Sequence, residues 1–390
     1  MKKSTPAIDR NLKLLIWFNF FTDFKLYAPL AIIYFSKVSG SYALGTSILS
    51  IAMISSALFE VPTGIFSDYI GRKKTIILGT LSSFLAICFY AASGTYLILV
   101  IGAILEGLAR SLFSGNNEAL LYDSLASEGK QRQYHHFLGR LSSLPQLALG
   151  ISALLGGLFV TINFQLTFWL SSLAQLICLV LAFQLKEPLK QTKISANIYS
   201  HLKDSFQFFM SNKNLRLLSL SSILSFGLGE ASFQFRSAFY ITIWPVWALG
   251  IASMVSNFLA VIGFWVSGKV IDKFGGMKIL FIGALYNRFA DFMGLIFPTP
   301  ASPILMSTTS LHYGVSSTAR GSMMQKEFTS IQRATMGSLN AFAGSIFFAI
   351  VTFLLGLTAD KLNPRLALIL LEVFLLSNLF IYWKLIKTRP

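Results

Sequence analysis

Charged residues are scarce in this 390-residue chain: 12% are Asp, Glu, Lys or Arg, whereas 54% of the residues are hydrophobic. A chain of this length with so few charges lacks the polar side chains needed to cover a water-soluble globule. The composition therefore excludes a soluble globular protein and indicates that lipid is the solvent.

The chain also has little of what metal binding or nucleophilic catalysis requires. Its two cysteines, Cys88 and Cys178, lie in apolar segments without the spacing of a ligand or redox pair, so we expect both to pack against neighbours. No H-E-x-x-H or G-x-S-x-G motif occurs. Residues 263–270 approach a phosphate-binding loop, but Val270 replaces the required hydroxyl residue. The sequence predicts no enzyme activity, cofactor or metal.

Long apolar segments recur along the whole chain. A helix needs about 20 residues to cross a hydrocarbon core about 30 Å thick. These segments are continuously apolar and do not alternate with period two, which favours helices over barrel strands. The sequence predicts an all-α integral membrane protein with twelve spans, near 12–36, 43–67, 74–94, 97–125, 136–160, 164–185, 216–241, 246–267, 277–297, 302–327, 335–358 and 364–385.

Acidic residues are half as numerous as basic ones, 16 against 32, which gives a formal net charge of +16. The basic residues concentrate in one set of loops, near 2–13, 72–74, 130–140, 186–216, 269–278, 326–333 and 384–389. The opposite loops hold only Lys37, Lys361 and Arg365. By the positive-inside rule both termini are cytoplasmic, and the basic excess indicates membrane topology rather than nucleic-acid binding.

One long polar connection, residues 186–215, divides the chain into halves of six predicted spans each, 1–185 and 216–390. Apolar residues between 199 and 209 recur at helical spacing within it, which predicts an amphipathic helix on the cytoplasmic surface.

The halves share a charged motif at equal spacing. The first has Gly64-x3-Asp68-x2-Gly71-Arg72-Lys73-Lys74, and 204 positions later the second has Gly268-x3-Asp272-x2-Gly275-Gly276-Met277-Lys278. The same offset carries Asp123, at the end of helix four, onto Glu327, at the end of helix ten. A duplicated half is the organisation of transporters that rock two bundles about a central site.

The first motif resembles the loop signature G-x-x-x-D-x-x-G-R-K/R of the major facilitator superfamily. With Glu60 and Pro62 it extends to E-x-P-x5-D-x3-R-K, which is similar to a variant in one tetracycline-efflux subgroup and in many bacterial relatives. The resemblance covers the whole layout and implies a cytoplasmic gate that locks one conformation and breaks in the other. The gating residues it implies are Gly64, Asp68, Gly71, Arg72, Lys73, Asp123, Asp272 and Glu327, with Asp123 placed to pair with Arg72.

Ionisable side chains inside a membrane are costly unless paired or facing water, so each is a candidate site residue. On helix four Glu106 and Arg110 stand at i and i+4, with Asn117 and Ser114 on the same face. We expect the arginine to keep the glutamate ionised until protonation or an anionic substrate breaks the pair. A static pair that only joins helices is the alternative.

Helix one presents Asn19 and Asp23 on one face, and a continuous helix would turn Lys25 about 200° away from Asp23. These two charges are therefore not expected to be neighbours. Asp23, Glu106, Glu60 and Glu230 are the candidates for proton coupling.

In the resembled family, helices one, four, seven and ten surround the central path. Helix seven presents Glu230 and Gln234 in one stripe, and helix ten presents His312 and Ser316 at i and i+4. A histidine changes charge near neutral pH, although a hydrogen-bonding role is the commoner one. The candidates for the substrate pathway are Asn19, Arg110, Asn117, Gln234, His312 and Ser316, and Arg288 with Asp291 on helix nine is expected to be a structural pair.

The leading hypothesis is a secondary transporter of a bacterial inner (plasma) membrane, working by alternating access in proton-coupled efflux of a small drug-like or amphipathic compound. An importer or facilitator of a small metabolite is the alternative, and Arg110 with Lys25 would suit an anion. A transporter-shaped receptor that moves nothing is a more distant one. The expected partners are a small-molecule substrate, protons and the lipid bilayer, without nucleic acid, and the chain is expected to be a monomer.

Overall fold

The computed structural model describes residues 6–114, 120–121, 125, 134–187, 212–327 and 332–388. In the first half the helices are α1 (Pro6–Thr22), α2 (Ala31–Ser39), α3 (Tyr42–Ile70), α4 (Arg72–Ala91), α5 (Tyr96–Phe113), α6 (Tyr134–Phe159) and α7 (Phe164–Gln184). In the second half they are α8 (Lys213–Tyr240), α9 (Leu249–Phe274), α10 (Gly276–Ile296), α11 (Ser302–Ser307), α12 (Thr309–Glu327), α13 (Gln332–Lys361) and α14 (Pro364–Thr388). The described residues contain no strand, which confirms the all-α prediction.

Eight of the described helices are long and apolar enough to cross a membrane: α3, α4, α5, α7, α9, α10, α13 and α14. Shorter apolar helices cover Ala28–Ser39 and Ser143–Phe159. The remaining predicted spans fall on helices that are interrupted, as in spans one and ten, or rich in serine, as in α8. Residues 188–211, which hold most of the linker with the predicted amphipathic helix, lie outside the described residues.

The first predicted span, 12–36, is wrong as one continuous helix. α1 ends at Thr22, and the chain turns before a short 3-10 helix at Ala28–Leu30 and then α2. Pro29 lies inside that 3-10 helix, where its missing amide and its restriction of the preceding residue oppose a regular α-helix.

Side chains from α7 replace the hydrogen bonds that this break removes. The amide of Leu26 donates to Ser171 Oγ at 2.9 Å, and Gln175 Nε2 donates to the carbonyl of Thr22 at 3.1 Å. Backbone groups of the break are thereby paired although the helix is interrupted. The turn is a built feature of the fold, and it changes which charges meet.

Two compact units make up the chain. Unit 1 comprises residues 1–40, 51–191 and 245–254, and unit 2 comprises residues 41–50, 192–244 and 255–390. Helix α3 therefore contributes its first residues to unit 2 and the rest to unit 1, while α9 does the reverse.

Each unit has an apolar core. In unit 1, Leu15 and Phe18 of α1 pack with Ile76 and Cys178, and the burial of Cys178 confirms its predicted packing role. In unit 2, the core joins α8, α10, α12 and α14 through Leu215, Leu218, Leu280, Ala319, Tyr382 and Leu385.

Candidate transport site

The predicted contact between Glu106 and Arg110, one turn apart on the same helix, is present on α5. Arg110 donates from Nη2 at 2.8 Å and from Nε at 3.2 Å to the same oxygen, Glu106 Oε1. The arginine side chain is 48% exposed and that of the glutamate only 13%, so the guanidinium presents the more accessible surface of the pair.

Tyr90 of α4 completes the hydrogen bonding of this glutamate. Its hydroxyl donates to Glu106 Oε2 at 2.9 Å, so both carboxylate oxygens have donors. A Cβ at Gly102 of α5 would collide with the Tyr90 ring, so the glycine allows the ring to lie against α5. The ring itself is buried and held at its backbone, because Tyr34 donates to the Tyr90 carbonyl at 3.0 Å. The result is a buried carboxylate that accepts hydrogen bonds at both oxygens, beside an exposed guanidinium.

Asp23 and Lys25 lie next to each other, contrary to the expectation from a continuous helix. Lys25 Nζ is 3.3 Å from Asp23 Oδ1. Because α1 has already ended at Thr22, the turn replaces the helical spacing that would separate the two side chains. Lys25 also interacts electrostatically with Glu106, which links this pair to the pair on α5.

Unit 1 therefore brings four charged groups together, Asp23, Lys25, Glu106 and Arg110, with the Tyr27 ring within electrostatic reach of three of them. Two acids and two bases give the group no formal net charge. A proton gained or lost by this cluster, or an ionic solute bound to it, would change its net charge and shift the balance among its ion pairs. We call this group the unit 1 charge cluster.

Two other predicted residues of the first half have partners outside the unit 1 charge cluster. Asn19 Nδ2 donates to the carbonyl of Leu15 at 2.8 Å, one turn earlier on α1. Ser114, expected beside the helix-four pair, instead donates to Glu60 Oε1 on α3 at 3.3 Å. Asn117 lies outside the described residues.

In unit 2, the predicted stripe on α8 forms, since Gln234 Nε2 donates to Glu230 Oε1 at 2.8 Å. His312 of α12 is 3.2 Å from Asn287 Nδ2 through Nδ1 and 3.3 Å from the carbonyl of Ile279 through Nε2. These partners assign the proton to Nε2 and give the histidine a hydrogen-bonding role between α12 and α10. Ser316 is buried and donates to the carbonyl of Tyr313 within its own helix.

Arg288 and Asp291 of α10 are part of a larger buried network. Asp291 accepts from Arg236 of α8 at 2.7 Å and lies 3.4 Å from Arg288, while Arg288 pairs with Glu372 of α14. Glu372 also accepts from Ser232 of α8 at 2.8 Å. We call Arg236, Asp291, Arg288 and Glu372 the unit 2 quartet. The spacing of Arg288 and Asp291 predicted the intrahelical contact but not the stronger partners.

The gating motif contains a turn that only glycine adopts easily. Gly71 has φ of +95° between α3 and α4, and Gly275 has φ of +81° at the equivalent place in the second half. The 204-residue offset thus relates the same backbone turn in both halves. At Gly64, by contrast, an added Cβ would meet open space.

Glu187, three residues after α7 ends at Gln184, was not anticipated as part of this motif. Its two carboxylate oxygens accept from the amides of Arg72 and Lys73 at 2.8 and 2.7 Å, at the start of α4. Negative charge at a helix N-terminus is stabilising because it meets unpaired amides and the positive end of the helix dipole. Asp272 is exposed, while Asp123 and the side chains of Asp68 and Glu327 lie outside the described structure.

Two of the missed residues carried a signal in the sequence. Glu372 is a lone acid within a predicted span, which by itself marks a candidate site. Glu187 stands directly before a proline where an apolar run ends, a position typical of a helix boundary. Tyr90 had no signal, because its role depends on the packing of α4 against α5. Within the described residues, no three His, Cys, Asp or Glu side chains are grouped to hold a metal.

Comparison with known proteins gives agreeing matches. The model of the Major Facilitator Superfamily matches residues 14–350. An uncharacterised MFS-type transporter of Methanocaldococcus jannaschii is 22% identical over 377 residues, covering 90% of this chain and 93% of the relative. A mutant form of the nucleoside transporter NupG is 15% identical with a TM-score of 0.78, covering 96% of this chain and 100% of that one. A bacterial homologue of the human lysosomal transporter Spinster, inward-facing and unoccupied, is 16% identical with a TM-score of 0.75, covering 99% and 98%.

Proposed function

This chain belongs to the major facilitator superfamily and is a membrane transporter rather than an enzyme, and we propose that it works by alternating access in proton-coupled efflux of a small organic compound. The unit 1 charge cluster is the observation that carries this proposal. A proton-coupled transporter needs a group that gains and loses a proton as the solute moves, and such groups inside membranes are conspicuous because they are costly.

Glu106 is the residue that best fits the coupling role. It is mostly buried, it is paired with one cation, and a second cation lies within electrostatic reach. Protonating this carboxylate would release Arg110 from its only carboxylate partner within α5, and deprotonation would restore the pair. The proton and the freedom of the guanidinium are thereby linked, which is the elementary requirement for coupling.

The test uses everted membrane vesicles that hold an acidic interior and contain the full chain. A pH-sensitive dye reports proton leak as amphipathic compounds are added one at a time. We expect at least one compound to collapse the gradient with the parent protein and not with Glu106→Gln. Asp360→Asn also neutralises one acid, at an exposed position near the end of α13 that belongs to none of the candidate sites, and we expect it to keep the response.

Equal responses from the parent and Glu106→Gln would remove the glutamate from the coupling role. No response to a broad panel, from protein shown to be folded and inserted, would count against antiport. A receptor that moves nothing would keep its activity in both Asp68→Asn and Glu106→Gln, whereas a transporter would lose it. These variants therefore also separate transport from sensing.

A second function, uptake of a small anionic metabolite, is favoured by one observation. The Arg110 side chain is 48% exposed, while its carboxylate partner is nearly covered. A solute carboxylate could therefore reach the guanidinium and form a charge-assisted bidentate contact. Uptake of small labelled carboxylates, compared with their neutral amides, tests this. Preference for the carboxylate that is lost in Arg110→Gln would support import of an anion over efflux.

The gating motif and the position in the cell complete the proposal. We propose that Gly64, Asp68, Arg72 and Lys73 form the cytoplasmic gate and that Glu187 holds its turn. Basic loops at the termini support an inner (plasma) membrane protein with both ends in the cytoplasm.

A further inference from the structure

The tenth predicted span, 302–327, contains a joint. α11 ends at Ser307 and α12 starts at Thr309, with Thr308 as a turn between them. The amide of Leu311 bonds to the carbonyl of Thr308 at 3.1 Å, a tighter spacing than the α-helical one. Such interruptions have identifiable causes, one of which is a side chain that inserts into the backbone ladder.

Arg236 is the side chain that enters this joint. Its Nη1 donates to the carbonyl of Met306 at 2.8 Å and to Thr309 Oγ1 at 3.1 Å. Thr309 itself donates to the same Met306 carbonyl at 2.7 Å. The backbone acceptor that an uninterrupted helix would use internally is therefore occupied by an arginine from α8.

The rest of the quartet fixes the position of this arginine. Arg236 is 8% exposed and donates its Nη2 to Asp291, whose side chain is fully buried. Asp291 is shared with Arg288, and Arg288 is paired with the fully buried Glu372. Two arginines and two acids leave no formal net charge, so each member depends on the others for compensation in a dry interior.

We infer that Arg236 is a positioning residue for transport. It sets the joint of span ten, and the linked ion pairs of Asp291, Arg288 and Glu372 hold the arginine in place. The joint decides the direction in which α12 runs, and α12 carries the pathway candidates His312 and Ser316. Only this last link rests on the proposed function. The joint itself can be measured without substrate.

Two spin labels on span ten report the joint. Cysteines replace Ile304 on α11, which is 36% exposed, and Gly321 on α12, where a new side chain meets no atom within 4 Å. The two endogenous cysteines are replaced by serine and alanine in every sample. A label pair at Gly337 and Ile350 of α13, which lies in one uninterrupted helix, is the control.

Arg236→Lys keeps the charge but not the fork that reaches Asp291 and the Met306 carbonyl together. We expect the 304–321 distance distribution to shift by about 2 Å or to widen about twofold as the joint loosens, while the α13 pair stays unchanged. An unaltered 304–321 distribution in a folded Arg236→Lys protein would overturn the inference.

A second comparison tests the other three members of the unit 2 quartet, and it can be made even if Arg236→Lys does not fold. Glu372→Gln removes one of the two acids that Arg288 contacts, so Asp291 is left to compensate two arginines. We therefore expect Arg288 to compete with Arg236 for Asp291 and the joint to loosen. The double change Arg288→Met with Glu372→Met removes both charges and leaves Arg236 with Asp291, and we expect the parent distribution to return. If the double variant is as disturbed as the single one, or neither is disturbed, the quartet does not hold the joint.

Discussion

Tyr90 shows how a residue without any charge can control a charged one. Its hydroxyl is the donor to Glu106 Oε2, while Arg110 occupies Oε1. Hydrogen bonds to a carboxylate favour its ionised form, so losing one should make the glutamate easier to protonate at a given pH. The behaviour of Glu106 therefore depends on a neighbouring helix that no spacing rule on α5 includes.

We expect Tyr90→Phe to change the dye response of everted vesicles without abolishing it, because the arginine pair remains. A hydrogen bond to a charged group contributes about 1.5 to 3 kcal/mol, so the pH at which the response is half-maximal should rise. Tyr69→Phe is the control, since Tyr69 is 86% exposed. Identical pH profiles for Tyr90→Phe and the parent would mean that Glu106 does not set the profile.

Gly71 and Gly64 form a matched pair for a stability measurement. Gly71→Ala should destabilise by about 1 kcal/mol or more, because φ of +95° is unfavourable for alanine. Gly64→Ala should be neutral or stabilising by about 0.5 to 1 kcal/mol, since alanine favours helix and its Cβ meets no described atom within 4 Å. Thermal unfolding of the purified proteins tests this, and the reverse ranking would contradict the assigned turn.

At the scale of elements, the start of α4 depends on a residue from another segment. Glu187→Ala removes both acceptors from the amides of Arg72 and Lys73, and Glu187→Gln keeps one oxygen. Losing a helix cap costs about 0.5 to 2 kcal/mol, which corresponds to about 2- to 30-fold faster amide exchange. Hydrogen exchange of 72–75 should accelerate more in Glu187→Ala than in Glu187→Gln. Unchanged exchange in both would mean that α4 starts without this carboxylate.

The elements also show where sequence reasoning is reliable. Apolar length located α3, α4, α7, α10 and α14 close to their observed bounds, because a long helix in lipid leaves few alternatives for its backbone. It failed at spans one and ten, where side chains of Ser171, Gln175 and Arg236 on other helices pair the freed backbone groups. It was also wrong about span four, predicted as 97–125, because α5 ends at Phe113. Such breaks are decided by tertiary partners, which periodicity along one helix does not contain.

The same limit applies to the candidate site. Helical spacing predicted the Glu106–Arg110 contact correctly, because both residues lie on one uninterrupted helix. It separated Asp23 from Lys25 wrongly, because that separation assumed a helix that ends at Thr22. Contacts within an element follow from the sequence, whereas contacts at breaks follow from the fold.

For the whole molecule, the charge asymmetry between loops makes a prediction about orientation. Because most basic residues of the loops lie on one side and only Lys37, Lys361 and Arg365 on the other, we expect both ends in the cytoplasm. A fluorescent protein fused to the C-terminus should therefore be bright, and a periplasm-dependent phosphatase at the same place should be inactive. Fusions after residue 94, in an opposite-side loop, should behave in the reverse way. An active C-terminal phosphatase would place that end outside.

The central claim is that the Glu106 proton moves with transport, and it can be measured before any substrate is known. Purified protein is reconstituted into liposomes on a solid-supported membrane, and a pH jump is applied while the displacement current is recorded. The account predicts a transient current in the parent and in Asp360→Asn that is absent from Glu106→Gln. A current of equal size in Glu106→Gln would show that the proton binds elsewhere and would contradict the account.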